Sequence, residues 1–98
     1  MNQLERIQTM ESILDQSTKI IKQLNQLLDQ FEDNQADMKK LIDYYESDLF
    51  LCDFNDDETG KIPAIKKGVL SEDAVYNLLY THRELLLRLL KISANYLE

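Results

Sequence analysis

The two glycines and the single proline of this chain all fall between residues 60 and 68, so residues 1–59 and 69–98 contain neither. Glycine and proline are the residues that most disfavour a helix interior, and two long stretches without them predict helices almost from end to end. Ninety-eight residues are enough for one modest core and short of two. The expectation is therefore an all-α fold and a single domain: a three-helix bundle with two long helices, one shorter helix and an ordered acidic connector. Its predicted spans are helix 3–32, helix 35–50, connector 51–70 and helix 72–97.

Periodicity supports those spans. Positions 7, 10, 14, 17, 21, 24, 28 and 31 read Ile, Met, Leu, Ser, Ile, Leu, Leu, Phe, alternating steps of three and four. Leu4, Ile13, Ile20 and Leu27 widen this coiled-coil-like seam into a broad stripe, the pattern of a helix packed against two neighbours. A turn is expected over Glu32 to Gln35, with Asn34 capping the second helix. That helix offers Met38, Leu41, Ile42, Tyr45 and Leu49. The last helix has the most explicit start. Ser71 is its N-cap, Glu72 and Asp73 lie in its first turn, and Leu70 with Val75 forms a hydrophobic staple. Its leucines at 85, 86, 87, 89 and 90 cover more circumference than one neighbour buries, which makes a homodimer an expected partner arrangement.

The net charge of −7 is unevenly distributed. Residues 1–42 carry seven acids and five bases; residues 43–60 carry seven acids and no base; residues 61–98 carry four acids and six bases. The negative field belongs to the connector, whose natural complement is a basic protein face. Nucleic acid requires a Lys/Arg footprint, and Lys61, Lys66 and Lys67 are a small one, so no direct nucleic-acid binding is expected. The start of the chain lacks the basic and apolar regions of a signal peptide, and no stretch approaches the roughly 20 apolar residues that span a bilayer. A lone Cys52 forms no intrachain disulfide and fits a reducing compartment. The expectation is a cytoplasmic protein away from membranes.

The candidates for chemistry are few. Asn55, Asp57, Thr59, Gly60 and Ile62 fit the first, third, fifth, sixth and eighth positions of a calcium-binding loop. The twelfth position, where a bidentate Glu belongs, is Lys66, and the ninth is Pro63. Asp53, Asn55 and Asp57 are thus weak metal candidates, and a solvated acidic turn is the better reading. Asp53, Asp56, Asp57 and Glu58 are dense enough for carboxylate chemistry but lack the Glu-x-x-His recurrence of helical metal enzymes. No nucleophile stands beside a base in a known signature, and no glycine-rich phosphate loop is present. His82, between Leu79 and Leu86 on the inner face of the last helix, reads as a structural residue. The expectation is no enzyme and no cofactor.

The aromatic residues are more suggestive. Tyr44, Tyr45, Phe50 and Phe54 gather near the end of the second helix, and Tyr76 and Tyr80 form an i,i+4 pair near the start of the last. One reading is a satellite core that holds the connector. The other is a binding groove lined by Tyr45, Phe54, Tyr76 and Tyr80 and rimmed by Asp56, Asp57 and Glu58. Gly60, Pro63 and Gly68 are expected to shape the connector, with a positive φ at Gly60 and a fixed exit at Pro63.

The runs Asp43-Tyr44-Tyr45-Glu46-Ser47, Asp53-Phe54 and Asp57-Glu58-Thr59-Gly60-Lys61-Ile62-Pro63 lead into Lys67 through Leu79. Together with the opening Leu4-Glu5-Arg6-Ile7, they resemble domain of unknown function 4298. These are small bacterial proteins, found mostly in streptococci and related Firmicutes. The segment Gly68 to Leu79 is the most specific part of the likeness. The resemblance implies an ordered connector and brings no activity, substrate or catalytic residue. It also implies a tryptophan near Leu49-Phe50-Leu51, which this chain lacks. The function read from the sequence is a non-enzymatic protein–protein interaction module that uses a hydrophobic helical face and the acidic connector. The alternative is a small-ligand or divalent-cation domain using Asp53, Asp57 and Glu58.

Overall fold

The computed structural model describes residues 2–97. It is all-helical: α1 (Gln3–Asp33), α2 (Gln35–Tyr45), α3 (Asp48–Glu58), a 3-10 turn (Gly68–Leu70) and α4 (Ala74–Tyr96). The chain divides into two compact units, residues 1–39 and 40–98. Among the described residues, no helix is long and apolar enough to cross a membrane.

In the first unit, α1 starts as its sequence dictates. The Asn2 side chain accepts the Glu5 N–H at 2.8 Å, and Glu5 accepts from the Asn2 amide in return at 3.3 Å. The first of these bonds satisfies a backbone amide that the helix itself leaves unpaired, and the second joins the two side chains. The far end departs from expectation. Asn34 is helical (φ −77°, ψ −11°), so it ends α1 and does not cap α2 in the extended conformation an N-cap requires. Its N–H bonds to Gln30 at 3.0 Å and its carbonyl accepts from Met38 at 2.9 Å, preserving the i→i−4 pattern on both sides. The Gln35 side chain also donates to the Phe31 carbonyl at 2.9 Å. The expected turn over Glu32–Gln35 is only a pause in helical hydrogen bonding.

The second unit corrects the spans 35–50 and 51–70. The expected second helix is two helices, broken at Glu46-Ser47. Ser47 is extended (φ −98°, ψ 163°), and its hydroxyl donates to the Tyr44 carbonyl at 2.6 Å, closing α2. Asp48 then occupies the first turn of α3, where the helix dipole favours an acid. Half of the presumed connector is therefore helix. Its acidic run reads as loop because Asp and Asn have poor helix propensity, yet the run is helical as far as Glu58.

Just past the end of α3 is Gly60, the positive-φ residue at +77°. Its N–H bonds to the Asp57 carbonyl at 3.1 Å and the Lys61 N–H bonds to Asp56 at 2.9 Å. The pair of bonds is the Schellman arrangement, which satisfies two carbonyls at the end of α3 and needs a left-handed residue just beyond it. Pro63 follows at once, and the Ile65 N–H closes a tight turn onto its carbonyl at 2.8 Å. Gly68 is different. It has no positive φ, and an added Cβ would meet nothing within 4 Å. Nothing in the structure requires glycine at that position.

The 3-10 turn touches both α3 and α4 and ties the unit together. Leu70 and Val75 are deeply buried at 8 % and 3 % exposure. The expected helix 72–97 takes up its backbone pattern two residues late, at Ala74, with Asn77 N–H bonding to Asp73 at 2.8 Å. Its N-cap position is Asp73, which makes no side-chain capping bond, and Glu72 and Asp73 lie ahead of the helix and not in its first turn; Ser71, the expected N-cap, lies just before them. It is extended (φ −69°, ψ 152°), its oxygen accepts the Ala74 N–H at 3.3 Å, and its hydroxyl donates to the Gly68 carbonyl at 2.7 Å. One serine thus joins the turn to the helix.

Candidate functional site

Two surfaces stand out, one in each unit. In the second unit, a hollow of about 320 Å³ is lined by Tyr44, Asp53, Ile62, Ile65, Lys66, Lys67, Val69 and Leu70. Its floor is apolar. Its polar edge is built by α2 and α3: the Tyr44 hydroxyl donates to Asp53 Oδ2 at 2.6 Å across the Ser47 break. That hydrogen bond, helped by desolvation and by the carboxylate charge, pushes the Tyr44 pKa up to about 12, because ionising the phenol would set two anions side by side.

Of the acidic residues singled out in the sequence, Asp53, Asp56 and Asp57 are already engaged. Lys67 reaches back ten residues to hydrogen-bond and ion-pair with Asp57, both half-buried. Lys61 stands 3.8 Å from Asp56 in a more exposed pair. These contacts offset an unfavourable placement, since Asp56, Asp57 and Glu58 crowd the C-terminal turn of α3, where the helix dipole opposes negative charge. Asp53 and Asp57, four residues apart, share one face of the helix, whereas Asn55 points roughly opposite. The helical backbone therefore pulls the suggested ligand triplet Asp53, Asn55 and Asp57 apart. Among the described residues, no group of three His, Cys, Asp or Glu side chains could hold a metal ion.

The aromatic candidates divide in the same way. Phe50 is the hub of a cluster, edge-on to Tyr45 at 5.0 Å and to Tyr44 at 5.7 Å, and 6.2 Å from Phe54. Edge-to-face pairs of this kind add about 0.5–1.5 kcal/mol beyond area burial, and here they fix the angle between α2 and α3. Tyr45 and Phe54 are thus packing residues. Tyr76 and Tyr80 lie exposed on α4, at 62 % and 59 %. Glu58 is exposed at the end of α3, and His82 is half-buried on α4. The sequence reading missed Tyr44–Asp53 and Lys67–Asp57. The signal for the first was Ser47-Asp48, a helix start that would have placed Tyr44 and Asp53 on facing helices.

The second surface is the stripe of α1. None of its 31 residues is buried. Leu4, Ile7, Met10, Ile13, Leu14, Ile20, Ile21, Leu24 and Leu27 all lie between 45 and 65 % exposed, and only Leu28 and Phe31 reach half-burial. A groove of about 560 Å³ runs beside the stripe from Ser17 to Asp29, open along one helix and enclosed by nothing else in its unit.

A family model described as domain of unknown function (DUF4298) matches residues 7–92, a span that holds the hollow and all of the stripe but Leu4. No curated protein and no solved structure matches the chain.

Proposed function

The chain belongs to the DUF4298 family, and from its own residues we propose that it is a non-enzymatic protein–protein interaction module whose docking element is the apolar face of α1. The observation that carries this reading is the exposed stripe from Leu4 to Leu27. Contiguous apolar patches on soluble proteins mark places where something else binds. Fully burying one such side chain is worth about 1.5–3 kcal/mol. Nine half-exposed ones therefore hold a gross gain of about 10 kcal/mol, comparable with the 4–15 kcal/mol that association costs. A helix without a buried face depends on such a partner, because helices draw most of their stability from packing. In this reading the bundle expected from the wide stripes is completed by the partner that covers α1.

The acidic segment has a secondary part. Glu46, Asp48 and Glu58 remain exposed around α3 and suit a basic partner surface. The engagement of Asp53 and Asp57 with Tyr44 and Lys67 weighs against the cation-binding alternative. A cytoplasmic setting belongs to the same proposal, supported by the single unbridged Cys52.

The test is capture from native extract with the intact chain and with Ile13→Glu/Leu24→Glu as baits, bound proteins being identified by mass spectrometry. Loss of a specific set of proteins, or of the untagged chain itself, on substitution is expected. An identical set on both baits would remove α1 as the docking element.

A further inference from the structure

We propose that the partner of α1 is α1 of a second copy, paired antiparallel about a two-fold axis near Lys19. This rests on the reading of α1 as a docking face and specifies what docks.

The argument lies in which positions of the seam are apolar. With Ile7, Leu14, Ile21 and Leu28 as heptad positions a and Met10, Ser17, Leu24 and Phe31 as d, the neighbouring g positions are Arg6, Ile13, Ile20 and Leu27. The e positions, on the other side, are Leu4, Glu11, Thr18, Asn25 and Glu32. The stripe is therefore one-sided: three successive g residues are apolar, and the four e residues from 11 onward are polar. A parallel pair sets g against e, leaving Ile13, Ile20 and Leu27 to face Thr18, Asn25 and Glu32. An antiparallel pair sets g against g and e against e. Ile20 then meets Ile20 of the second copy, Ile13 meets Leu27, and the polar e residues meet each other on the solvent side.

The core follows in the same register. Each a residue lies over a d residue: Ile7 over Phe31, Leu14 over Leu24, Ile21 over Ser17 and Leu28 over Met10 of the second copy. The small Ser17 faces a large Ile21 on both sides of the axis, so large and small residues alternate through the centre. The width of the stripe, which suggests two neighbours, is filled by one.

The helix ends agree. The last turn of α1 holds Glu32 and Asp33 and no base, opposed by its own dipole. Antiparallel pairing brings the N-terminal end of the second helix and its Arg6 to that level, with Glu5 offsetting part of the gain. A parallel pair stacks acid on acid there.

Disulfide trapping in a Cys52→Ser background tests both partner and direction. Ile20→Cys is expected to cross-link with itself under mild oxidation. Leu14→Cys and Leu24→Cys are each expected to resist cross-linking alone and to form a mixed disulfide when combined. Light scattering on the unsubstituted chain, expected at twice 11.5 kDa, guards against cysteine variants that fail to assemble. Self-linking of Leu14→Cys, with Ile20→Cys unlinked, would show a parallel pair and overturn the inference while leaving the docking reading intact. A mass of 11.5 kDa at high micromolar concentration would overturn it too. The capture experiment would then decide separately whether α1 docks on some other protein.

Discussion

The two units hold their shape by opposite means. In residues 1–39, a 31-residue helix has a side-chain cap at one end and no buried side chain along its length. In residues 40–98, the short elements ahead of α4 are fixed by particular contacts: a glycine-ended helix, a serine shared between a turn and a helix, a Tyr–Asp hydrogen bond and a Lys–Asp bridge. The first unit is all periodicity, and its energy lies in what can cover it. The second has its polar groups paired by local detail, although α4 leaves Leu78, Leu85, Leu86, Leu90 and Ile92 exposed as well. A surface that still has apolar area to bury is the better candidate for function than one whose polar groups are satisfied.

The sharpest way to break this contrast is to place charge in the α1 seam. Leu14→Asp with Ile21→Asp removes two side chains worth about 1.5–3 kcal/mol each once covered. Association should weaken by at least about a hundredfold, and the helical circular-dichroism signal should fall with it. The aromatic cluster of the second unit should keep its near-ultraviolet spectrum. Loss of both signals together would mean that the units are not independent and that the contrast fails.

Within the second unit the largest single effect should come from Gly60. Its φ of +77° lies where a β-branched residue is strained, although nothing crowds the site. Gly60→Val should lower stability by about 1–3 kcal/mol in denaturant melts, and Gly68→Ala should lie within about 0.5 kcal/mol of the original. Equal costs at the two glycines would mean that backbone conformation is not what Gly60 supplies.

How far the sequence reveals these features depends on the range of the interactions involved. The start of α4 was legible only to within two residues, its N-cap position being Asp73 and not Ser71, whereas the Gly60 turn was legible because it acts over a few residues of chain. So was helix α1, whose period repeats eight times. The α2–α3 break was not, because Tyr45, Leu49 and Phe50 continue an apolar spacing that hides the Ser47-Asp48 start. The turn at Asn34 was over-read for the converse reason: Asp, Asn and Gln there suit a cap, yet Asn34 accommodates helical dihedrals equally well. For the candidate site, the acids were visible but their employment was not. Pairing Asp57 with Lys67 depends on a chain path through Pro63 that composition does not convey.

A smaller effect should appear at high pH. The Tyr44 pKa is raised from 10.0 to about 12 by its bond to Asp53. The folded state thus holds this proton more tightly than the unfolded state. The associated stability is complete below pH 10 and is lost as pH rises toward 12. In a tyrosinate absorbance titration, one of the five tyrosines should ionise later than the others, and Tyr44→Phe should remove that late step. Asp53→Asn should bring it back toward 10. A late step that survives Tyr44→Phe would assign the shift to another residue.

The smallest effect separates two neighbouring carboxylates and reaches the question of what the acidic segment is for. If the segment were a bare cluster, neutralising either Asp56 or Asp57 would relieve repulsion and leave stability unchanged or slightly higher. The structure distinguishes them. Asp57 is bridged to Lys67 with both groups half-buried, whereas Asp56 meets Lys61 only at 3.8 Å with both more exposed. Exposed pairs contribute about 0–1 kcal/mol, and the loosest contribute nothing measurable. Asp57→Asn should therefore cost up to about 1 kcal/mol in metal-free, low-salt buffer, with the difference shrinking as salt is added. Asp56→Asn should be neutral or slightly stabilising, because it also removes a charge that opposes the α3 dipole. A clear loss at both positions would make the whole acidic turn an internal brace and leave only Glu46, Asp48 and Glu58 to meet a basic partner. Neutrality at both would free Asp57 for binding, and the ordering of residues 59–73 would then rest on Gly60, Ser71 and the buried Leu70 alone.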